Sequence, residues 1–430
     1  MTDDILLLPL DILVHIFRKL NTSDLRNVML TCKTLRDVIK NDSRIWRSFC
    51  RNSVVFRDRE GNRWYNILTW YNRCRISRNW QNGCYKSKEL IRHYTNYMPW
   101  LKFYNSEVML LTIGSELVCH QTDNKGVPIC NKRLWKIDVP KVLRQDVRTN
   151  DISRFVLKNN LLVCGNRDGC VAVYRLNNIL KRPKLECHIK DCHDDGLAEV
   201  SDVEVIDSRD QLSIVSGSSS SSNLLICTLR TGDDARPVQN SNQNVMYIPL
   251  QDCIGTKCLS LNKMADRLAI GLKGNSQPVL LDVNNAKMLL TAKDTMNHRR
   301  SVRDIQWHDE NTVVYVTHSG FLQLMDMRTH QGVYKARDPF QSTLYCVKTD
   351  GENAILVGSA EYSRCVLFDA RNSRNHVQMY FTQRNSSPVY SLDFDSTKLI
   401  TAVDRGVAVL NFNVDSTSQP CRDYSSHVFQ

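Results

Sequence analysis

Near the amino end, apolar residues recur at helical spacing and are separated by short polar runs. Leu13, Ile16, Phe17 and Leu20 follow the i, i+3, i+4, i+7 pattern of one helix face. Polar residues at 21–23 and 41–43 interrupt the pattern and offer N-cap side chains for new helices. The pattern predicts three short helices within residues 1–50. A segment of this size cannot bury all these apolar side chains by itself, so it needs a partner surface.

From about residue 103 to 413 the pattern changes to short strands with tight polar turns. Each unit has a strand, a turn, a second strand with a small residue, a turn that often contains glycine, and a third strand. The small residues recur at intervals of 41 to 54, at Gly165, Gly217, Gly271, Thr317, Gly358 and Ala402. This period is typical of β-propeller blades, and residues 107–139 supply a less regular seventh unit. The absence of helices between the strands excludes a doubly wound sheet.

The helical segment resembles an F-box, the docking module of cullin-based ubiquitin ligases. The resemblance covers residues 5 to 50 and rests on Leu8-Pro9-x-Asp11-Ile12-Leu13, the Cys32-Lys33 pair and Ile45-Trp46. It implies a small all-α module that binds the ligase adaptor. The residues that it implies for the module's core and its adaptor-binding surface together are Leu8, Pro9, Ile12, Leu13, Ile16, Phe17, Leu25, Val28, Leu35 and Trp46. The sequence does not divide them between the two roles.

The strand units are similar to WD repeats. The Trp-Asp pair of that family is reduced to Leu281-Asp282, Met325-Asp326 and Phe368-Asp369. Further similarity to proteins that combine an F-box with WD repeats is carried by residues 98–100, 342–346, 349–351 and 387–390. The resemblance implies an all-β, seven-bladed propeller that is closed by amino- and carboxyl-terminal strands, since closure removes exposed sheet edges.

These patterns predict a multidomain protein with an F-box at 1–50, a mainly helical connector at 51–102, a propeller at 103–415 and a tail at 416–430. The connector is basic and aromatic-rich, with 11 Lys or Arg against 3 acids. Basic and aromatic residues together are typical of nucleic-acid surfaces. A packed connector whose Arg and Lys stems cover its exposed side is the favoured alternative.

Composition excludes several classes of protein. The chain has 430 residues, a formal charge of +12 and 16 cysteines scattered through strand-like segments, which indicates mostly reduced core thiols. There is no basic, apolar leader and no apolar run of about 18 residues, so we expect an intracellular protein of the cytoplasm or nucleus that does not enter membranes. Cys187-His188-x-x-x-Cys192-His193 fits structural zinc spacing poorly, and we predict no metal and no cofactor.

The sequence carries no catalytic motif, neither a phosphate-binding glycine loop nor a nucleophile elbow. We therefore predict a non-catalytic substrate receptor of a cullin-RING ubiquitin ligase, which binds the adaptor through the F-box and, through it, the cullin and RING subunits. Basic residues of the propeller turns are the candidate contacts to an unidentified client protein: Arg154, Arg167, Lys273, Arg303, Arg364 and Arg405. The alternatives are a non-degradative WD-repeat scaffold and a nucleic-acid-associated protein that acts through the connector.

Overall fold

A computed structural model describes most of the chain. The described residues are 4–50, 53–55, 68–92, 98–105, 107–123, 125–208, 211–229, 244–290, 300–381 and 387–415. The chain divides into two compact units. One, the helical unit, contains residues 1–86, 394–399 and 410–430, and the other, the ring unit, contains residues 87–393 and 400–409.

The helical unit begins with a short 3-10 turn at Asp4–Leu7, followed by α1 (Leu10–Phe17), α2 (Thr22–Thr31), α3 (Lys33–Asn41), α4 (Ser43–Trp46) and α5 (Trp70–Gln81). The sequence predicted one continuous helix where α2 and α3 stand. Cys32 separates them because its backbone is extended, and its sulfur accepts a hydrogen bond from the N–H of Leu35. Asn21 and Asp42 cap the starts of α2 and α4 in the same way.

The strands form seven four-stranded sheets, which confirms the predicted seven-bladed propeller. In chain order, the first four sheets contain β2 to β5 (Leu101–Phe103, Val108–Ile113, Glu116–Thr122, Pro128–Asp138), β6 to β9 (Ile152–Lys158, Leu161–Asn166, Val171–Arg175, Lys184–Ile189), β10 to β13 (Asp202–Ser208, Gln211–Gly217, Asn223–Leu229, Asn244–Pro249) and β14 to β17 (Gly255–Leu261, Arg267–Lys273, Val279–Asp282, Lys287–Leu290).

The last three sheets contain β18 to β21 (Val302–Trp307, Thr312–Thr317, Phe321–Asp326, Gln331–Arg337), β22 to β25 (Leu344–Thr349, Ala354–Ser359, Arg364–Asp369, Asn372–Tyr380) and β26 to β28 (Val389–Phe394, Lys398–Val403, Gly406–Asn411) with β1 (Lys86–Arg92). β1 pairs with β28 as the fourth strand, so an amino-terminal strand closes the ring as predicted. Two strands, β1 and β2, lie wholly or partly within residues 51–102, where the sequence predicted mainly helical structure.

Small residues are required in the second strand of each sheet because the first strand of the next sheet packs against them. A Cβ on Gly271 would lie 2.8 Å from a methyl of Val302, and one on Gly358 would lie 2.8 Å from a methyl of Val389. Both distances are shorter than real Cβ contacts allow. The recurring small residue in the sequence therefore marks the close approach of neighbouring sheets, and the apolar clusters between sheets form the core of the ring.

Side chains also hydrogen-bond adjacent sheets together along the central channel. The first strand of each sheet has one edge that no strand covers, so its inward N–H groups need other acceptors. Asp202 accepts from the N–H of Leu259 at 2.8 Å, and Asp304 accepts from the N–H of Val347 at 2.8 Å. Ser391 accepts from the N–H of Leu101 at 2.9 Å, across the closure of the ring. The channel is therefore lined by polar groups with structural partners.

Asp202 makes the stability of the ring depend on pH. Burial raises the pKa of its carboxyl to about 7, against the opposing influence of Arg154 and the N–H groups of Leu259 and Val203. The unfolded pKa is about 3.9, so the stability that protonation contributes is fully present below about pH 4 and is lost as the pH rises through about 7. Relative to Asp202→Asn, we expect the wild type to gain about 1–2 kcal/mol of unfolding free energy between pH 7.5 and 5.5.

Urea unfolding of both proteins at the two pH values measures this difference. Burial lowers the pKa of His120 and of His193 to about 4, which destabilises the fold as the pH falls below about 6.5. Both histidines are present in the two proteins, so their contributions cancel in the comparison. A stability difference that stays constant with pH would contradict the assignment.

Candidate partner-binding surfaces

The first four helices form a module with its own apolar interior. Its buried side chains are Leu13, Val14, Phe17, Leu25, Met29, Leu35, Ile39, Ile45 and Trp46. The indole N–H of Trp46 donates to the carbonyl of Ile39 at 2.6 Å, which satisfies the polar end of this buried ring. An ion pair between Arg44 and Asp11, 2.8 Å apart, links α4 to α1 at the surface.

The structure divides the residues for which the sequence left two roles open. Leu13, Phe17, Leu25, Leu35 and Trp46 are all 6% exposed or less. These five members of the set belong to the interior of the module, because the other helices already cover them. Val28 is half-buried against the same interior.

The remaining predicted residues lie on the surface. Leu8 is 37% exposed, Ile12 is 49% exposed and Ile16 is 37% exposed, and Pro9 is exposed beside them. Ile12 and Ile16 are four residues apart on α1 and therefore share one face, adjacent to the face that carries Leu13 and Phe17. The exposed aliphatic side chains of this region are Ile5, Leu6, Leu7, Leu8, Leu10, Ile12, Ile16 and Leu30, and we call them the aliphatic patch.

Five members of the aliphatic patch were missed in the sequence as surface candidates: Ile5, Leu6, Leu7, Leu10 and Leu30. The run Ile5 to Leu8 has no helical period, so the pattern gave no basis for placing it inside or outside. Leu30 fits the apolar spacing of neither neighbouring helix face, and at 76% exposure it stands alone on α2. Isolated exposed leucines are common, but a run of this length is not.

Helix α5 completes the interior of the module from the connector. Trp70, Tyr71 and Cys74 pack against it, and Tyr71 meets Trp46 edge to face with ring centres 5.1 Å apart. The far end of α5 contacts residues that follow the last strand. Trp80 stacks on Phe412 with ring centres 3.5 Å apart.

Polar groups fix the same contact of α5 with the residues after the last strand. The side-chain amide of Asn79 donates to the carbonyls of Phe412 and Val414, at 2.8 Å each. The indole N–H of Trp80 donates to the carbonyl of Ser396 at 2.7 Å. Within the helical unit, α5 therefore connects the module to the carboxyl-terminal residues.

The connector's aromatic residues are largely used in packing. Trp80 is fully buried, Tyr85 is 4% exposed, and Trp100 lies under the guanidinium of Arg154 with 3.6 Å to the ring centre. The guanidinium groups of Arg47 and Arg73 lie over Trp70, each 5.3 Å from its ring centre. Trp64, Tyr65, Tyr94 and Tyr97 lie outside the described residues. The rings that the structure describes thus do not form an open stacking surface for nucleotide bases.

All six predicted client contacts lie at the same end of their sheets, where first strands begin and second strands end. One of them, Arg364, is wrong as a surface contact. Its side chain is 0% exposed and pairs with Asp338 at 2.7 Å, whose side chain is also 0% exposed. The carboxylate partner comes from the turn after the preceding sheet, so the guanidinium is enclosed between two sheets. Arg154 is mostly enclosed too, in an ion pair with Asp304 at 2.8 Å across the channel.

The other predicted basic residues remain accessible. Arg405 is exposed, Lys273 and Arg303 are half-buried, and Arg167 pairs with Glu199 at 3.1 Å. Arg303 donates towards the ring nitrogen Nδ1 of His318 at 3.0 Å and lies over Tyr345, 5.1 Å from the ring centre. Whether any of them binds a client stays a prediction.

Lys257 lies near Arg303 and Lys273, although the sequence analysis did not identify it as a candidate client contact. Burial, followed by the nearby cation Arg303, lowers the pKa of its ammonium to about 8, and Lys273 acts in the same direction. Glu199 opposes them, and its own pKa is held below the usual value by Ser219 and Arg167 despite burial. Lys257, Lys273 and Arg303 therefore form a cationic cluster at the entrance of the channel. Lys257 lies at the register shift near the start of β14. The regular alternation of apolar and polar residues is interrupted there, so the sequence pattern could not predict this residue.

Two side chains of the Cys187-His188-x-x-x-Cys192-His193 segment form hydrogen bonds within the protein. Nε2 of His193 lies 3.0 Å from the hydroxyl of Ser216, and the thiol of Cys192 donates to the carbonyl of Ile189. Among the described residues, no group of three or more His, Cys, Asp or Glu side chains is placed to hold a metal ion. Within the same residues, no helix is both long and apolar enough to cross a membrane.

Comparison with known proteins agrees with this architecture. The F-box-like family model matches residues 5–52. The chain is similar to F-box/WD repeat-containing protein 4 of Mus musculus, with 23% identity over 416 residues that cover 94% of this chain and 92% of the relative. The protein of the same description from Homo sapiens is 22% identical over the same shares. The chain therefore has an F-box-like module and seven four-stranded sheets, and it resembles proteins that combine an F-box with WD repeats over nearly its whole length.

Proposed function

We propose that this F-box and WD-repeat protein is the substrate-recognition subunit of a cullin-RING ubiquitin ligase. In this role the aliphatic patch binds the adaptor subunit, and the propeller holds a client protein for ubiquitin transfer. In this role its contribution to catalysis is to bring the client close to the conjugating enzyme. The same role places it in the cytoplasm or nucleus.

The aliphatic patch is the observation that carries the proposal. Eight large aliphatic side chains between residues 5 and 30 are exposed in the structure. Seven of them lie within residues 5–16, and such a concentration of exposed apolar side chains is typical of protein interfaces. Burying four such side chains yields about 6–12 kcal/mol at roughly 1.5–3 kcal/mol each. Association costs about 4–15 kcal/mol, so most of the patch has to take part in the interface.

The cationic cluster supports a client with an acidic or phosphorylated segment. Lys257, Lys273 and Arg303 lie close enough together for their charges to interact, with Glu199 as their acidic neighbour. A ligand that brings negative charge would relieve this repulsion and would accept charge-assisted hydrogen bonds. Tyr345 and Tyr390, with ring centres 5.3 Å apart, border Arg303 and would add apolar contact area.

Reversing two of these charges tests the client surface. In Arg303→Glu/Arg405→Glu, we expect client capture to fall at least about tenfold, because attraction is replaced by repulsion at both positions. Quantitative proximity labelling in cells measures the captured proteins. The matched control is Arg328→Glu/Arg374→Glu, which changes two exposed arginines, one in the turn after β20 and one in β25 of the next sheet. Equal client capture by both double variants would remove these arginines from the client surface.

Reconstitution tests the function as a whole. The full chain, co-expressed with adaptor, cullin and RING subunits, is expected to co-purify with them and to transfer ubiquitin to proteins that it captures. Co-purification without ubiquitin transfer to any captured protein would favour the scaffold alternative. Salt-sensitive retention of nucleic acid without the adaptor would favour the nucleic-acid alternative.

A further inference from the structure

One pair of cysteines departs from the expectation of reduced core thiols. Cys50, in the turn after α4, and Cys74, in the second turn of α5, are joined by a disulfide with their Cα atoms 5.7 Å apart. The pair spans 24 residues of sequence. The other cysteines whose state the structure gives are free thiols. Most of them are buried within the sheets.

The bond joins the two elements that close the interior of the F-box-like module. Cys74 lies on the same side of α5 as Trp70 and Tyr71, which pack against that interior. Its sulfur lies 3.3 Å from the carbonyl oxygen of Trp46, at the end of α4. The disulfide therefore fastens α5 to the helices that present the aliphatic patch, at the point where their aromatic rings meet.

We propose that Cys50 and Cys74 form a reversible thiol–disulfide pair whose oxidation state sets whether α5 is covalently attached to the adaptor-docking helices. Cys50 is 4% exposed, whereas Cys74 is half-buried. A small thiolate such as that of glutathione therefore attacks the sulfur of Cys74. The S–S bond breaks, Cys50 leaves as a thiolate and takes a proton, and a mixed disulfide forms on Cys74.

A second glutathione thiolate then attacks the mixed disulfide and leaves Cys74 as a thiol. The chain has gained two hydrogen atoms, and two glutathione molecules have become one molecule of glutathione disulfide. Oxidation is the reverse sequence, with glutathione disulfide as the oxidant. No other redox partner is needed.

Cys74 is half-buried, whereas most of the free thiols are buried, so its sulfur is easier to reach. Cations lie over the neighbouring aromatic rings. Lys40 is 5.3 Å from the ring centre of Tyr71, and Arg47 and Arg73 are each 5.3 Å from that of Trp70. Positive charge near a sulfur favours the reactive thiolate. In the sheets burial has the opposite effect, since it raises the pKa of Cys119 and of Cys187 to about 12.

The inference rests on the proposed function in one respect, because that function places the chain in a reducing compartment. There, stable structural disulfides are rare, and those that occur are mostly transient or redox-sensing. Reduction leaves α5 attached to the module through packing alone. The consequence is a looser closure of the module beside the adaptor-binding helices.

The test uses the purified full chain in buffers of defined ratios of glutathione to glutathione disulfide. After the free thiols are blocked, mass spectrometry reports the fraction of chains with the Cys50–Cys74 bond. We expect this fraction to change from near complete to near zero across the glutathione ratios of cells. Hydrogen exchange on the reduced and oxidised chains is expected to show at least about tenfold faster exchange of the α5 amides after reduction.

Cys50→Ser should exchange like the reduced wild type in either buffer, and Cys253→Ser, which changes a half-buried thiol of the ring unit, should behave like the wild type. A bond that never forms, or one that persists in excess dithiothreitol while the chain is folded, would overturn the proposal. So would equal exchange of α5 in both states. Because these readouts need no adaptor, a chain that fails to bind the adaptor can still pass this test.

Discussion

Replacing Ile12 and Ile16 together by aspartate is expected to abolish adaptor binding while the chain remains folded. Both side chains lie on one face of α1, at 49% and 37% exposure, and neither contributes to the buried interior of the module. Each loses up to about 1.5–3 kcal/mol of apolar burial in the complex and brings a charge into the interface. We expect affinity to fall by at least about two orders of magnitude. Co-purification and titration calorimetry with the isolated adaptor measure it.

Two comparison variants separate the interface from the fold. Val333→Asp places the same charge on an aliphatic residue with 61% exposure in β21 and should leave adaptor binding unchanged. Phe17→Asp charges a side chain with 1% exposure and should unfold the module, visible as lost helical circular dichroism. If the Ile12/Ile16 double variant co-purifies with the adaptor as well as the wild type does, the aliphatic patch is not the adaptor surface.

Replacing Arg364 by leucine is expected to destabilise the ring by about 3–5 kcal/mol. The guanidinium donates to both carboxylate oxygens of Asp338, at 2.8 and 2.7 Å, and to the hydroxyl of Ser359 at 3.1 Å. It also lies over Phe340, 4.4 Å from the ring centre. Leucine removes these bonds and leaves Asp338 as a buried charge with only the N–H groups of Phe340 and Ser342. Urea unfolding, followed by tryptophan fluorescence, measures the change.

The double variant Arg364→Leu/Asp338→Leu tests whether the buried charge left on Asp338 causes the loss of stability. It removes both charges, so it should recover part of the stability lost in the single variant. Arg405→Leu, at an exposed turn of another sheet, should change stability by less than about 0.5 kcal/mol. A single Arg364→Leu variant as stable as Arg405→Leu would show that the pair does not support the ring.

Sequence patterns predicted most of the helices and the blades, but they did not predict which side chains lie on the surface. The helices and the blades have regular periods, and glycines such as Gly271 mark a close contact between sheets that recurs in four of the blades. The division of α1 into a buried and an exposed face could not be predicted, because both faces are apolar. Leu13 and Ile16 look alike until the other helices are placed.

Arg364 shows a second limit of prediction from the sequence. In the sequence it is a turn arginine like Arg405, but its carboxylate partner lies 26 positions earlier, in the turn after the preceding sheet. Only the ring brings the two together. Strand β1 was missed for a similar reason, since its residues, KSKELIR, belong by composition to the basic connector. Its role depends on β28, more than 300 positions away in the chain.

The position of β1 affects how truncated proteins should be designed. A truncation that removes the connector together with the docking helices would leave the last blade with three strands and an open edge on β28. Loss of activity in that shortened protein would reflect damaged architecture as much as a missing adaptor contact. A cut placed immediately before Lys86 retains the closing strand, so a shortened protein that is meant to keep the last blade complete should start there.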